Sequence, residues 1–182
     1  MTDPSPFALP HLGEIFDALR RGRHICAADG KLYWALRDNL EAYLDLFQHL
    51  GFRLQVHPRD FYYFRGKDSL SPLASKMAVF VFILIESLSD QGEAVVEALM
   101  TKTFSISELV HLKHARYRAY LKEASVTSEE ELLAIIRQLE RFGFAQRHTE
   151  DSFSFRTPAY RFFDVCIDIL NREDDQPTEE QT

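Results

Sequence analysis

The sequence predicts a mainly α-helical protein with small β wings, an α+β fold built from two winged-helix domains in tandem. Three observations carry this expectation. Between Thr127 and Phe155, an apolar-striped helix ends at a glycine and is followed by two short strand-like pieces. The same order of features occurs once before, between Leu40 and Phe64. The two copies align at one offset: Leu50-Gly51-Phe52 matches Phe142-Gly143-Phe144, and Phe61 matches Phe153, each pair 92 residues apart. A repeat of that length is too long for a solenoid unit and reads instead as two copies of one small domain.

Taken in order, the chain divides into an arm over 1–10, a first winged helix over 11–68, a second over 69–157, a C-terminal helical segment over 158–170 and an acidic tail over 171–182. The arm holds three prolines and is expected to be loose. Leu12, Ile15, Phe16 and Leu19 fall at helical spacing, and Gly22 ends that helix. Arg20, Arg21, Arg23 and His24 cluster at its end. Cations there complement the helix dipole; the same cluster also suits a contact surface for DNA or a partner protein. A short strand is expected within Arg23–Ala27, a turn at Asp29-Gly30, and a mainly helical stretch over Lys31–Leu50. Strands over Phe52–His57 and Phe61–Phe64 follow, with Arg59-Asp60 in the turn of the first wing.

The junction falls over Ser69–Ala74, where Pro72 precedes the next helix. That helix, about Ala74 to Leu88, is apolar on nearly every face, so it must be covered by the other half or by another subunit. Phe80, Phe82 and Ile83, with Tyr160, Phe162 and Phe163 of the C-terminal segment, are therefore candidate protein-interface residues. A short helix over Glu93–Met100 and a strand over Thr101–Phe104 come next. Ser105 and Glu108 have capping-box spacing and are expected to open a helix carrying Leu109, Val110 and Leu112. Lys113, Arg116, Arg118 and Lys122, interleaved with Tyr117 and Tyr120, suit phosphate contacts but equally a solvated helix face. Thr127 and Glu130 form a further capping box. It opens the helix of Leu132, Leu133, Ile135, Ile136, Leu139 and Phe142, which Gly143 stops.

Composition bounds the function. Of the 182 residues, 46% are hydrophobic and 15 are Phe, enough for a packed core. The net charge of −7 argues against indiscriminate coating of DNA, which Lys and Arg would have to carry, but leaves room for a local basic patch. The longest apolar run, Met77–Ile85, falls short of the ~20 residues that span a bilayer, and the start Met-Thr-Asp-Pro-Ser-Pro does not read as a secretory signal. Cys26 and Cys166, both in apolar surroundings, read as buried reduced thiols of a cytosolic protein. The seven glycines stand apart, so no phosphate-cradling loop is formed. Glu108, His111 and His114 at i, i+3 and i+6 would diverge around a helix, a poor metal cage. No cofactor, metal or catalysis is expected.

Leu19-Arg20-Arg21-Gly22-Arg23-His24-Ile25 and Phe61-Tyr62-Tyr63-Phe64-Arg65 resemble segments of the MukE and MksE subunits of bacterial condensins. So do Leu139-Glu140-Arg141-Phe142-Gly143-Phe144 and the pair Ser154-Phe155-Arg156 and Tyr160-Arg161-Phe162. The resemblance spans roughly residues 12 to 170 and lies closer to MksE, given the short chain and compact linker. It implies a tandem winged-helix ("kite") subunit without catalytic activity, which dimerises and binds a kleisin (MksF- or MukF-like) and, through it, an SMC ATPase. It further implies a cytoplasmic, nucleoid-associated role in chromosome organisation and segregation, or in plasmid exclusion as in Wadjet-type systems. DNA would be touched weakly, or only within the complex, and no membrane is involved. The competing reading is a winged-helix transcription regulator. It would call for a more basic recognition helix than Glu129–Arg141, where Glu129, Glu130, Glu131 and Glu140 face two arginines.

Overall fold

The computed structural model describes residues 8–66 and 71–164. Two copies of one topology follow each other, each a helical start, a short strand, two helices and a hairpin. The first is α1 (Leu12–Arg20), β1 (Ile25–Cys26), α2 (Lys31–Asp38), α3 (Leu40–His49), β2 (Leu54–His57) and β3 (Phe61–Phe64). The second is α4 (Pro72–Asp90), α5 (Val95–Thr101), β4 (Thr103–Ser105), α6 (Ala115–Glu123), α7 (Glu129–Arg141), β5 (Ala145–Arg147) and β6 (Ser152–Phe155). Both sheets are antiparallel with the last strand in the middle, in the orders β1-β3-β2 and β4-β6-β5. This is the α+β architecture with small wings expected from the repeat.

The repeated glycines do the same work twice. Gly51 and Gly143 follow α3 and α7 with φ of 79° and 82°, a region that costs glycine nothing. Each lets the next amide turn back onto the helix: Phe52 N–H donates to the Phe47 carbonyl and Phe144 N–H to the Leu139 carbonyl, both at 2.8 Å. The capping box of α7 is displaced by one residue from the expected pair. Ser128 is the N-cap, its hydroxyl accepting from the Glu131 amide, while the Glu131 carboxylate accepts from the amides of Thr127 and Ser128.

One further expectation is corrected. Ser105 and Glu108 do not open a helix: residues 106–114 form turns and α6 begins only at Ala115. The Ser105 hydroxyl instead donates to Asp151, whose carboxylate also accepts the Ser107 amide and hydroxyl. A wing-turn aspartate thus takes the bonds that a helix N-terminus would have made. The stretch Lys31–Leu50 is mainly helical as expected, with one break at Asn39, whose side-chain amide donates to the Ala35 carbonyl. Near the start of the described chain, the Tyr43 hydroxyl donates to the Pro10 carbonyl. The junction helix begins at Pro72, with Ser71 as N-cap. Residues 1–7, 67–70 and 165–182, including Cys166, the end of the C-terminal segment and the acidic tail, lie outside the described residues.

Each half has its own core. Ile15, Leu19, Tyr33, Leu36, Tyr43, Phe47 and Tyr62 form the first. The second gathers around α4, with Phe80, Ile83, Leu99, Leu121, Leu139 and Phe153 fully or almost fully buried. The apolar helix is thus covered mainly by α5, α6 and α7 of its own half, where cover by the first half or by another subunit was expected. Its length and composition would suffice to cross a membrane, but its buried side is the core of the second winged helix. Of the three interface candidates on it, Phe80 and Ile83 are sealed in that core, and Phe82 alone is exposed, at 42%, edge-on to Tyr120. Phe82→Asp is therefore expected to leave stability within ~1 kcal/mol of the parent in a denaturant titration. A larger loss would place Phe82 in a packed environment.

Candidate functional site

The two halves meet along a seam that brings together all four segments singled out by the resemblance. The loop after α1 runs against the end of α7. His24 N–H donates to the Phe142 carbonyl at 2.8 Å. A Cβ on Gly143 would lie 2.5 Å from the His24 carbonyl oxygen, and one on Gly22 would lie 2.9 Å from the Phe142 ring. Glycine at 143 therefore serves two ends, the left-handed turn and a backbone contact too close for any side chain.

Beneath this contact sits a buried ion network. Asp29, on the turn after β1, accepts from Arg23 at 2.7 Å on one oxygen and from Arg156 at 2.6 Å and the Cys26 amide at 3.0 Å on the other. The side chains of Asp29 and Arg156 are only 7% and 8% exposed. Burial pushes the Asp29 carboxyl up, but the Arg23 bond, the Cys26 amide and Arg156 outweigh it and hold it below its ordinary value. Arg156 also donates to the Cys26 thiol at 3.2 Å, while burial raises that thiol above its usual value.

A third layer clasps the first wing. Arg161 donates to His24 Nε2 at 2.6 Å and lies 4.2 Å from the centre of the Tyr63 ring. Arginine has no acceptor, so Nε2 carries the lone pair and Nδ1–H donates to the Phe142 carbonyl at 3.2 Å. The wing turn reaches the same helical turn, residues 160–164: His57 Nε2 lies 2.7 Å from Asp164, and Arg59 stacks over Tyr160 at 4.0 Å. The tip of the first wing is thus occupied by the protein's own chain.

Burial, helped by Arg161, lowers the His24 pKa to about 3, and burial lowers that of His111 to about 4. His111 Nε2 bonds the Phe80 carbonyl and its buried Nδ1 has no partner. Both imidazoles are neutral when folded and take up protons near pH 6.5 when unfolded. The unfolded state then binds more protons below about pH 6.5, and stability falls with pH until the folded values are reached. Denaturation is expected to show a loss of about 1 kcal/mol between pH 7 and pH 6 from the two together. A flat profile in parent protein would contradict the neutral, buried assignment.

Against this frame, the expected DNA-contact residues separate. His24 is buried in the seam and presents nothing to a duplex. Arg23 is committed to Asp29. Arg20 and Arg21 remain on the surface, both paired with Asp17 of their own helix at 3.0 and 3.3 Å. On the second stretch, Arg116 bonds Asp90 and the Tyr117 hydroxyl, while Lys113 and Arg118 donate to the carbonyls of Ser107 and Leu112. Lys122 is exposed. Among the other interface candidates, Phe163 is buried, while Tyr160 and Phe162 are half-buried against the second core. Asp29, Arg156, Arg161 and His57 were not singled out from sequence as site residues. Two of them lie in the resembling segments, but nothing in local periodicity links them to partners more than 100 residues away.

Of the two helices that precede the hairpins, which a DNA-reading winged helix would use for recognition, α3 is acidic outward and α7 carries no net positive face. α3 exposes Glu41 and Asp45, and α7 exposes Glu129 and Glu130 beside Arg137 and Arg141. Among the described residues no group of His, Cys, Asp and Glu is placed to hold a metal ion. What the seam can do is mechanical: it fixes two small domains in one relative orientation. In comparison with known proteins, a family model described as "Condensin complex protein MksE" matches residues 10–167. No curated protein matches the chain.

Proposed function

Since the chain belongs to the MksE family of condensin complex proteins, and so to the non-SMC subunits of such complexes, we propose that it works as a dimeric adaptor. In this reading it binds a kleisin and, through the kleisin, an SMC ATPase. The single observation that carries this is the seam: a rigid pair of winged helices whose first wing is already held by its own chain. Such a pair suits a scaffold better than a sequence reader. The acidic outward face of α3 and the charge-balanced one of α7 support the same choice over a transcription regulator. Its role is non-catalytic, in the cytoplasm and at the nucleoid, supporting chromosome organisation and segregation or plasmid exclusion. DNA is touched weakly and within the assembled complex.

Gentle affinity purification of the full chain from its native cell, with mass spectrometry, tests this. A very long coiled-coil ATPase and a kleisin are expected to copurify; a nuclease-like fourth protein would point to plasmid defence. Recovery of the chain alone, or with a promoter fragment, would overturn the proposal. Arg20 and Arg21 supply the DNA test, because reversing Arg23 would break the seam instead. Arg20→Glu with Arg21→Glu is expected to weaken DNA retention by the assembled complex at low salt, with melting unchanged. Unaltered retention across a salt series would limit these arginines to pairing with Asp17.

A further inference from the structure

A groove of about 340 Å³ runs between α7, β5 and the second wing turn. Ile106, Leu133 and Ile136 give it an aliphatic lining, and Arg137, Arg147 and Glu150 supply its charges. Most arginines described above are engaged, with Asp17, Asp29, Asp90 or His24. Arg137 and Arg147 are different: among the described residues, neither guanidinium has a hydrogen-bond or ion-pair partner. The Nε of Arg147 is moreover buried and unpaired, an unmet donor inside the protein. Glu150 stands at the exposed wing turn and pairs with neither arginine. The groove lining itself carries two guanidiniums against one carboxylate, while Glu140, outside the lining, accepts the Arg147 amide at 3.1 Å.

We propose that this groove binds a partner peptide in which an aspartate or glutamate lies beside aliphatic side chains. Each part of the groove has a counterpart in such a segment. A carboxylate matches the planar fork of a guanidinium. Leu, Ile or Val beside it removes the aliphatic lining from water. A nucleic-acid phosphate would meet the arginines but would leave Ile106 and Leu133, the half-buried part of the lining, uncovered. Such recognition is set by the chemistry of the groove, whichever subunits make up the complex.

Selection of a displayed library of short random peptides on the full chain tests it. Enriched peptides are expected to share an acidic residue next to an aliphatic one. Their affinity for Arg137→Gln with Arg147→Gln should drop about tenfold to a hundredfold, the loss expected for charge-assisted bonds. Glu150→Gln should instead tighten the same peptides, a gain that misfolding cannot produce, and circular dichroism checks that the arginine variant is folded. Selection without an acidic-aliphatic consensus, or no enrichment at all, overturns the proposal. So does binding indifferent to the arginine substitutions, or a duplex DNA that perturbs the amides of 133–137 and 147–150 when the peptides do not.

Discussion

Asp29→Ala is expected to cost about 3–5 kcal/mol, because it strands the Arg156 guanidinium in the seam with its main partner gone. The guanidinium cannot escape the penalty by losing its proton. Arg156 would keep only the weak Cys26 thiol acceptor, and its Nε already lacks a partner. Replacing both ends of the pair by apolar residues of similar size, Asp29→Leu with Arg156→Met, should recover much of the loss, since desolvating the ions is itself expensive. Denaturant unfolding at neutral pH measures both variants. The parent is expected to unfold in one cooperative transition; Asp29→Ala, with the seam weakened between two separate cores, should show two. A single transition with a loss below about 1 kcal/mol would mean that the network behaves as a surface ion pair.

Gly143→Ala is expected to destabilise by about 3 kcal/mol, and Gly51→Ala by only about 1 kcal/mol. The two positions make a controlled comparison inside one molecule. They have nearly the same φ, +82° and +79°, and occupy the same place after α7 and α3, so the conformational penalty is shared. They differ in what a methyl group would meet. At Gly51 nothing lies within 4 Å, whereas at Gly143 the His24 carbonyl oxygen would be 2.5 Å away. That oxygen is backbone, held by the neighbouring His24–Phe142 hydrogen bond, and can yield only if the seam opens. The difference between the two losses in denaturant titration reads the close approach alone. Equal losses would show that the seam yields without cost.

What could be read from the sequence was what is decided within a few residues of itself. The glycine stops at Gly22, Gly51 and Gly143, the stripe of α7 and the two wing hairpins follow from local turn chemistry and helical period, and all are present. The repeat at 92 residues added the architecture, because the same local order twice implies the same domain twice. Motifs whose atoms had other bidders could not be judged this way. The Ser105–Glu108 spacing suits a helix start, but Asp151, far along the chain, takes the Ser105 hydroxyl and the Ser107 amide. The apolar surround of α4 says that it must be covered, yet not that α5, α6 and α7 do the covering and leave Phe82 out. His24 stands among arginines in sequence and reads as surface, but folding buries it between Phe142, Phe144 and Arg161. The bond from Arg156 to Asp29 closes 127 residues of chain, and neither residue carries any mark of the other. Secondary structure is settled by hydrogen bonds between near neighbours, so it is legible locally. The seam is settled by which charged and aromatic groups two finished domains bring face to face, and only the tertiary structure decides that.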